Sequence, residues 1–244
     1  MFKFLSKLAG GISNAKLGKT SAIILCAGSS TRFGDDKQMA EVSGKSVALR
    51  TIEVFDSCDL IFEIILVVRK EDVENYKNLV CKNGLRKVSC IVVGGDTRQS
   101  SALRGFKHVS EKAKLVAIHD GARCLVTNEI ITAVVKSADE YKAATAASKV
   151  YDTVKIADRD GFISKTVDRE LVWNVQTPQV FEKKLYIACA YNAKENDIIA
   201  TDDCMLLESA GFKVKLVDTG KNNIKITVKE DIKLAEYLLS LREE

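Results

Sequence analysis

Hydrophobic positions fall into two alternating patterns along most of the chain. Short, nearly continuous apolar runs at Ala22–Cys26 (AIILC), Glu63–Val68 (EIILVV), Val88–Val93 (VSCIVV) and Leu115–His119 (LVAIH) read as buried strands. Between and after them, apolar residues recur at helical spacing over Val47–Phe55, Val73–Val80, Ser100–Val109 and Asn128–Tyr141. In the last of these, Ile130, Ile131, Val134 and Val135 share one face. Ala143–Ala147 is a candidate fifth strand. Strand–helix alternation with all-apolar strands predicts an α/β fold, a mostly parallel sheet with helices on both faces.

The alternation breaks at Lys149. Over Lys149–Val172 apolar and polar residues alternate around Asp158-Arg159-Asp160-Gly161, whose Asp-Gly marks a hairpin turn. This predicts an inserted β-ribbon arm at about 149–172. Beyond it lie Trp173–Val180, a helix near Lys183–Ala193 and another starting at Thr201, where Thr201-Asp202-Asp203 reads as an N-terminal cap. Asp202-Asp203 is read as a first helical turn rather than a metal pair. Lys213–Val217 and Ile224–Val228 read as strands, and Lys229–Leu241 as a closing amphipathic helix. With no repeat or linker, 21–244 is expected to form a single domain. Residues 1–20 carry lysines, no acid, and Phe4, Leu5, Leu8 and Ile12 at helical spacing. They lack the apolar core and cleavage site of a signal peptide and read as a poorly ordered basic leader, with a weak amphipathic membrane contact as the alternative.

Composition narrows the classes. Of 244 residues, 46% are hydrophobic and 29% charged, as in ordinary globular proteins. No apolar run approaches the ~20 residues needed to span a bilayer, so no stable membrane association is expected. A net charge of +4 gives no argument for a nucleic-acid partner but leaves room for a local basic pocket facing an anion. The seven cysteines are scattered and never form C-x-x-C, which suits neither a disulfide framework nor a zinc site and fits reduced thiols in a cytoplasmic protein. With two histidines, a His-rich metal site is not expected. His119 beside Asp120 is no catalytic dyad on this reading, because adjacent strand residues point to opposite faces.

The loop after the first strand, Ala27-Gly28-Ser29-Ser30-Thr31-Arg32-Phe33-Gly34-Asp35-Asp36-Lys37, offers small residues whose N–H groups can approach an anion, and two cations, Arg32 and Lys37. Ser30 occupies the second glycine of a dinucleotide fingerprint, and Phe33 the second glycine of a P-loop, so neither chemistry fits. Alone, the loop reads equally well as a strand-to-helix turn with solvated charges.

Further segments follow in order: Gly94-Gly95-Asp96-Thr97-Arg98-Gln99-Ser100-Ser101, His119-Asp120-Gly121-Ala122-Arg123, Asp152-Thr153-Val154-Lys155, Thr166-Val167-Asp168-Arg169, Gln176-Thr177-Pro178-Gln179-Val180-Phe181, Thr201-Asp202-Asp203 and Asn223-Ile224-Lys225-Ile226-Thr227. Together with the first loop they resemble the 2-C-methyl-D-erythritol 4-phosphate cytidylyltransferase family of sugar-phosphate nucleotidyltransferases, over about Ser21 to Leu239. The resemblance implies a Rossmann-like fold of the nucleotide-diphospho-sugar transferase type. It implies transfer of a cytidylyl group from CTP to 2-C-methyl-D-erythritol 4-phosphate, releasing pyrophosphate, in non-mevalonate isoprenoid biosynthesis. The attacking phosphate oxygen is already anionic, so no general base is required; positioning and charge stabilisation must carry the reaction.

By the same resemblance, Arg32, Lys37 and Lys225 are the catalytic cations. Ala27, Gly28, Ser29, Ser30, Gly95, Asp96, Arg98, Ser101, Asp120 and Gly121 bind CTP, with Gly95, Asp96, Arg98 and Ser101 on the loop that reads cytosine. Asp120 is also the expected ligand of Mg²⁺ or another divalent cation. Arg123, Thr177 and Thr201, with Thr153 and Arg169 of the arm, contact the acceptor. In the family the arm crosses to a second subunit, so a homodimer is implied, and Thr153 and Arg169 act in its partner's site. Pro178 would hold Thr177 toward the acceptor through its fixed φ. Three positions depart from the family pattern: Cys124 stands where proline is usual, Gly121 where alanine is usual (a mild change), and Asn222 where an acid is common. A ribitol 5-phosphate cytidylyltransferase, or a non-catalytic nucleotide-binding protein on the same fold, remain alternatives.

Overall fold

The computed structural model describes residues 18–28, 32–34 and 36–242. The basic leader over residues 1–17, and Ser29 and Ser30 of the first loop, lie outside them. The first strand, β1 (Thr20–Leu25), begins one residue inside the expected leader and is buried along its whole length.

β1 sits in a seven-stranded sheet with β4 (Ile61–Val68), β5 (Val88–Val93), β6 (Leu115–Asp120), β7 (Ala143–Lys149), β10 (Trp173–Glu182) and β11 (Lys215–Asp218). Their spatial order is β11-β7-β10-β6-β1-β4-β5. Only β10 runs against its neighbours, β6 and β7, so the sheet is mostly parallel as the sequence predicts. Alternate residues of β1 feed two cores. Ala22 and Ile24 pack with α1 (Val47–Ser57), α2 (Val73–Lys82) and α4 (Asn128–Tyr141). Ile23 and Leu25 pack with α3 (Arg98–Phe106), α5 (Lys183–Glu195) and α6 (Asp203–Ser209). Continuous apolar strands are therefore required, because both faces are dry.

A third, smaller core lies where the loops gather beyond the carboxyl ends of the strands. Phe33, Val42 of the short hairpin β2–β3 (Glu41–Val42, Lys45–Ser46), Ala122, Cys124, Leu125, Ile226 and Ala235 of α7 (Glu230–Ser240) form it. Cys124 is thus a buried packing residue whose thiol is pushed up to about 11 by burial.

Two expectations fail at the C-terminal end. Ile224–Val228 is no strand. β11 has only β7 beside it among the described residues, and the segment's backbone is tied across to the loop after β6 by the Ile226 N–H, which donates to the Ala122 carbonyl at 2.8 Å. Its burial does not alternate as a strand's would: Asn223 and Ile226, three positions apart, pack inward, with Ile224 and Lys225 half-buried between them. Thr201 is not the cap of α6; Asp202 is, in extended conformation, accepting from the Met205 N–H at 3.0 Å. A carboxylate answers a helix N-terminus better than a hydroxyl. Gly121 is also no mild replacement: a Cβ there would lie 2.4 Å from Cys26 Sγ and 3.1 Å from the Leu25 carbonyl. Glycine is what lets Cys26 fill that space.

Between β7 and β10 the chain leaves the sheet as a two-stranded ribbon, β8 (Lys155–Ala157) and β9 (Ile163–Thr166). Its turn is closed by Asp158, whose Oδ1 accepts from the N–H groups of Asp160 and Phe162, with Gly161 at φ 89°. The arm exposes Tyr151, Phe162, Ile163 and Leu171, the last at 79%.

Candidate active site

Two adjoining clefts open beyond the carboxyl ends of β1 and β6, where ligands bind in open α/β sheets. The first, of about 320 Å³, is lined by Ala27, Gly28, Lys37, Gly95, Asp96, Arg98, Ser101, Asp120 and Lys225, among others. The second, of about 460 Å³, includes Arg98, Asp120, Arg123, Val175, Thr177, Thr201, Met205 and Lys225 in its walls. Arg98, Asp120 and Lys225 belong to both.

Local rules place these side chains. The Gly94-Gly95 turn passes so close to its neighbours that a Cβ on Gly94 would lie 2.5 Å from that of Ala27, and one on Gly95 2.2 Å from Ser100 Oγ. Thr97 then caps α3 in a capping box with Ser100, and Ser101 Oγ accepts from the Gly95 N–H at 3.0 Å. Arg98 therefore starts the helix at the cleft. Lys225 is aimed by its neighbour. The amide of Asn223 is buried and donates to Gln176 Oε1 at 3.1 Å and to the Thr177 carbonyl at 2.8 Å.

Three cations converge on Asp120. Lys225 Nζ lies 2.7 Å from Oδ2, Arg98 Nε 3.2 Å from Oδ1, and Arg123 Nε 3.8 Å from Oδ2. Burial pushes the Asp120 carboxyl up, but Arg98, Lys225 and Arg123 outweigh it and hold the group well below the usual carboxylate range. Lys37 is pulled below its ordinary value by burial and by Lys225. The site is thus a surplus of held cations around one carboxylate, which suits polyanionic ligands.

Arg98 has a second acid. Its Nη1 donates to Asp203 Oδ2 at 2.5 Å, and the hydroxyl of Tyr186 donates to Asp203 Oδ1 at 2.9 Å. Gln179 accepts from the Asp203 N–H at 2.9 Å and donates to Asp202 at 2.7 Å. Asp203 is buried. Breaking one side of a buried pair costs about 3–5 kcal/mol, so the contact fixes the guanidinium rather than merely decorating it.

His119 and Asp120 are coupled through a third residue. Thr177 Oγ1 accepts from the Asp120 N–H at 3.0 Å and lies 3.0 Å from His119 Nδ1, while His119 Nε2 faces the Arg123 carbonyl at 3.4 Å. One tautomer satisfies every partner: Nε2–H donates to Arg123, and Nδ1 accepts from Thr177. Burial drives the imidazole down to about 3, so it is neutral. Its role is to tie the Arg123 loop to the bulge of β10, where the Thr177–Pro178 peptide is cis and the ladder with β7 is interrupted between Val175 and Gln179.

A family model for 2-C-methyl-D-erythritol 4-phosphate cytidylyltransferase matches residues 20–241. The chain belongs to this family. It is 45% identical over 222 residues to the cytidylyltransferase of that name from Caldanaerobacter subterraneus subsp. tengcongensis, covering 90% of this chain and 98% of the relative. It is 42% identical over 231 residues to the one from Alkaliphilus oremlandii, covering 93% and 98%. Among solved structures, the 4-diphosphocytidyl-2C-methyl-D-erythritol synthase of Anaerococcus prevotii superposes with a TM-score of 0.83 at 36% identity, covering 93% of this chain and all of that one.

Within this cytidylyltransferase framework the residues named from sequence fall into three groups. Ala27, Gly28, Lys37, Gly95, Asp96, Arg98, Ser101, Asp120 and Lys225 share the first cleft, and Arg123, Thr177 and Thr201 join the second. Arg32 is exposed on the first loop and near enough to act on Lys37; Gly121 lies buried beneath the cleft. Thr153 and Arg169 are exposed on or beside the arm and line neither cleft of their own chain, with Arg169 Nη1 donating to the Tyr151 carbonyl at 3.2 Å. The sequence reading missed Asp203, Tyr186, Gln179 and Asn223. Asp203 was visible only as helix-start acid; a carboxylate destined for burial beside an arginine far along the chain has no local signal. Among the described residues no helix is long and apolar enough to cross a membrane.

Proposed function

We infer that this enzyme transfers the cytidylyl group of CTP to the phosphate of 2-C-methyl-D-erythritol 4-phosphate, releasing pyrophosphate; its relatives are named as cytidylyltransferases of that acceptor. The observation that carries the mechanism is the pair of clefts sharing Arg98, Asp120 and Lys225. One cleft takes the nucleotide and the other the acceptor, so that the two polyanions meet over a common floor. The base lies along the Gly95–Ser101 loop, and the triphosphate faces the first loop with Arg32 and Lys37. An acceptor phosphate oxygen attacks the α-phosphorus in line; the new P–O bond forms as the bond to the bridging oxygen breaks and pyrophosphate leaves. Asp120 holds Lys225 Nζ at 2.7 Å and aims it across the floor at the developing charge, and Arg123 holds the acceptor phosphate.

Asp120 is one carboxylate open to both clefts, and among the described residues no cluster of three or more His, Cys, Asp or Glu could hold a metal unaided. That fits Mg²⁺, which usually takes one or two carboxylates and completes its shell with water and substrate phosphates. When bound, it neutralises phosphate oxygens. The exposed apolar side chains of the arm support a homodimer in which Thr153 and Arg169 complete a second copy's acceptor cleft. Reduced thiols and soluble substrates fit a cytoplasmic enzyme.

Pyrophosphate release from CTP, Mg²⁺ and either acceptor tests the reading. Methylerythritol phosphate is expected to be the preferred acceptor; a clear preference for ribitol 5-phosphate would reassign the substrate, and no release with either would refute cytidylyl transfer.

A further inference from the structure

Lys37 stands between two anchored neighbours. On one side the Gln38 carbonyl accepts from the Ala48 N–H at 2.9 Å, and the Gln38 side chain is buried. On the other side is Asp36. Its Oδ1 accepts from the Gln38 N–H at 3.0 Å, and its Oδ2 accepts from Arg69 Nη2 at 2.7 Å. Arg69 follows β4, 33 positions further along the chain, and lines neither cleft. Its Nε donates to Asp72 Oδ2 at 2.5 Å, and Asp72 is buried just ahead of α2. The guanidinium is therefore fixed to the rim of the sheet at one end and grips the first loop at the other. Side-chain exposure is only 26% for Arg69 and 25% for Asp36, so the pair is partly shielded from solvent.

The loop needs such a hold. Lys37 is partly buried near Lys225 and Arg32, which oppose its charge, and near Asp120, which favours it. A side chain so placed keeps its aim at an arriving anion only if its backbone is held. We propose that the Arg69–Asp36 ion pair is a latch that positions Lys37 for the phosphates of the nucleotide. Arg69 and Asp36 are positioning residues that touch no substrate. The proposal rests on the reading of the first cleft as the CTP site.

Asp36→Asn is the decisive variant. It keeps an acceptor for the Gln38 N–H and leaves the Arg69–Asp72 pair intact, while an amide nitrogen replaces the charged oxygen that accepts from Arg69. Calorimetric titration of CTP into the full-length protein, with steady-state kinetics on the same samples, is expected to show CTP affinity weakened about three- to tenfold. The acceptor KM should move less than about twofold. Arg69→Met should do the same. In a Lys37→Ala background, Asp36→Asn should add nothing, because the residue it positions is gone. An unchanged CTP affinity, or a loss that adds in full to that of Lys37→Ala, overturns the latch. Where Arg69→Met fails to fold because Asp72 is left buried and unpaired, Asp36→Asn decides alone. No CTP binding by the unsubstituted chain overturns the reading of the cleft and the latch with it; binding that ignores Asp36→Asn overturns the latch alone.

Discussion

At the scale of single residues, much of the chemistry depends on groups that never meet a substrate. His119 is the clearest case. Its imidazole is buried, neutral and bonded on both nitrogens, with its pKa drawn down to about 3 by burial. The sign of the pH effect follows. In the unfolded chain a histidine protonates near its ordinary value of about 6.5, while in the folded protein it resists protonation until far lower. The unfolded state thus binds the extra proton between those limits, and stability falls as pH falls through that window. Chemical denaturation at a series of pH values should show this loss between about pH 6.5 and 4. His119→Asn, which can donate to the Arg123 carbonyl and accept from Thr177, should flatten it; an unchanged slope in that variant would place the titration elsewhere. The sequence revealed that His119 sits in a strand but not that Thr177, 58 residues away, supplies its second bond. That pairing is created by an antiparallel strand, and no local pattern encodes which strand is adjacent.

At the scale of elements, strands and helices were legible because burial on both faces forces continuous apolar runs, as in β1, β4 and β6. The segment after β11 was not. Its alternation of Asn223, Ile224, Lys225 and Ile226 has the period of a strand, yet it is an irregular strap held by packing, by the Asn223 amide, by the Ile226 N–H on the Ala122 carbonyl and by Arg123 Nη1 on the Asn223 carbonyl. Period alone does not reveal whether a partner strand exists. That strap delivers Lys225 to Asp120. Asn223→Ala should leave the Thr177 carbonyl without a donor and Gln176 Oε1 with the Thr219 hydroxyl alone, lowering stability by about 1–3 kcal/mol. Because the same amide aims the Lys225 backbone, kcat should fall more than either KM does. Thermal unfolding and steady-state rates on one preparation check both parts, and a stability loss with kcat intact would show that Lys225 is placed by something else.

At the scale of the whole molecule, the proposed acceptor site is shared between two chains. Each chain carries both clefts and the Asp120 cluster, while Thr153 and Arg169 stand on the exposed ribbon, away from the clefts of their own chain. The first loop, the Gly94–Ser101 turn and the His119–Arg123 strand end were all readable as motifs because close backbone approach and charge leave a residue-type signature. The ribbon was readable as a ribbon from its Asp-Gly turn and its alternation. What it reaches was implied only by the family resemblance, since surface apolar residues such as Phe162 and Leu171 name no partner. A net charge of +4 likewise says little, while the handful of cations gathered about Asp120 says a great deal.

The central claim is that cytidylyl transfer occurs in the clefts of one chain completed by the arm of another. Mixing two impaired variants tests it directly. Lys225→Ala disables the clefts of its own chain, and Arg169→Ala disables the arm. Each alone should be nearly inactive in pyrophosphate release from CTP and methylerythritol phosphate. After unfolding and refolding together in equal amounts, about half of the dimers are mixed and one of the two sites in each has an intact cleft and an intact arm, so the mixture should regain about a quarter of the unsubstituted rate. A mixture no more active than its components, or an Arg169→Ala protein that is fully active alone, would contradict the account.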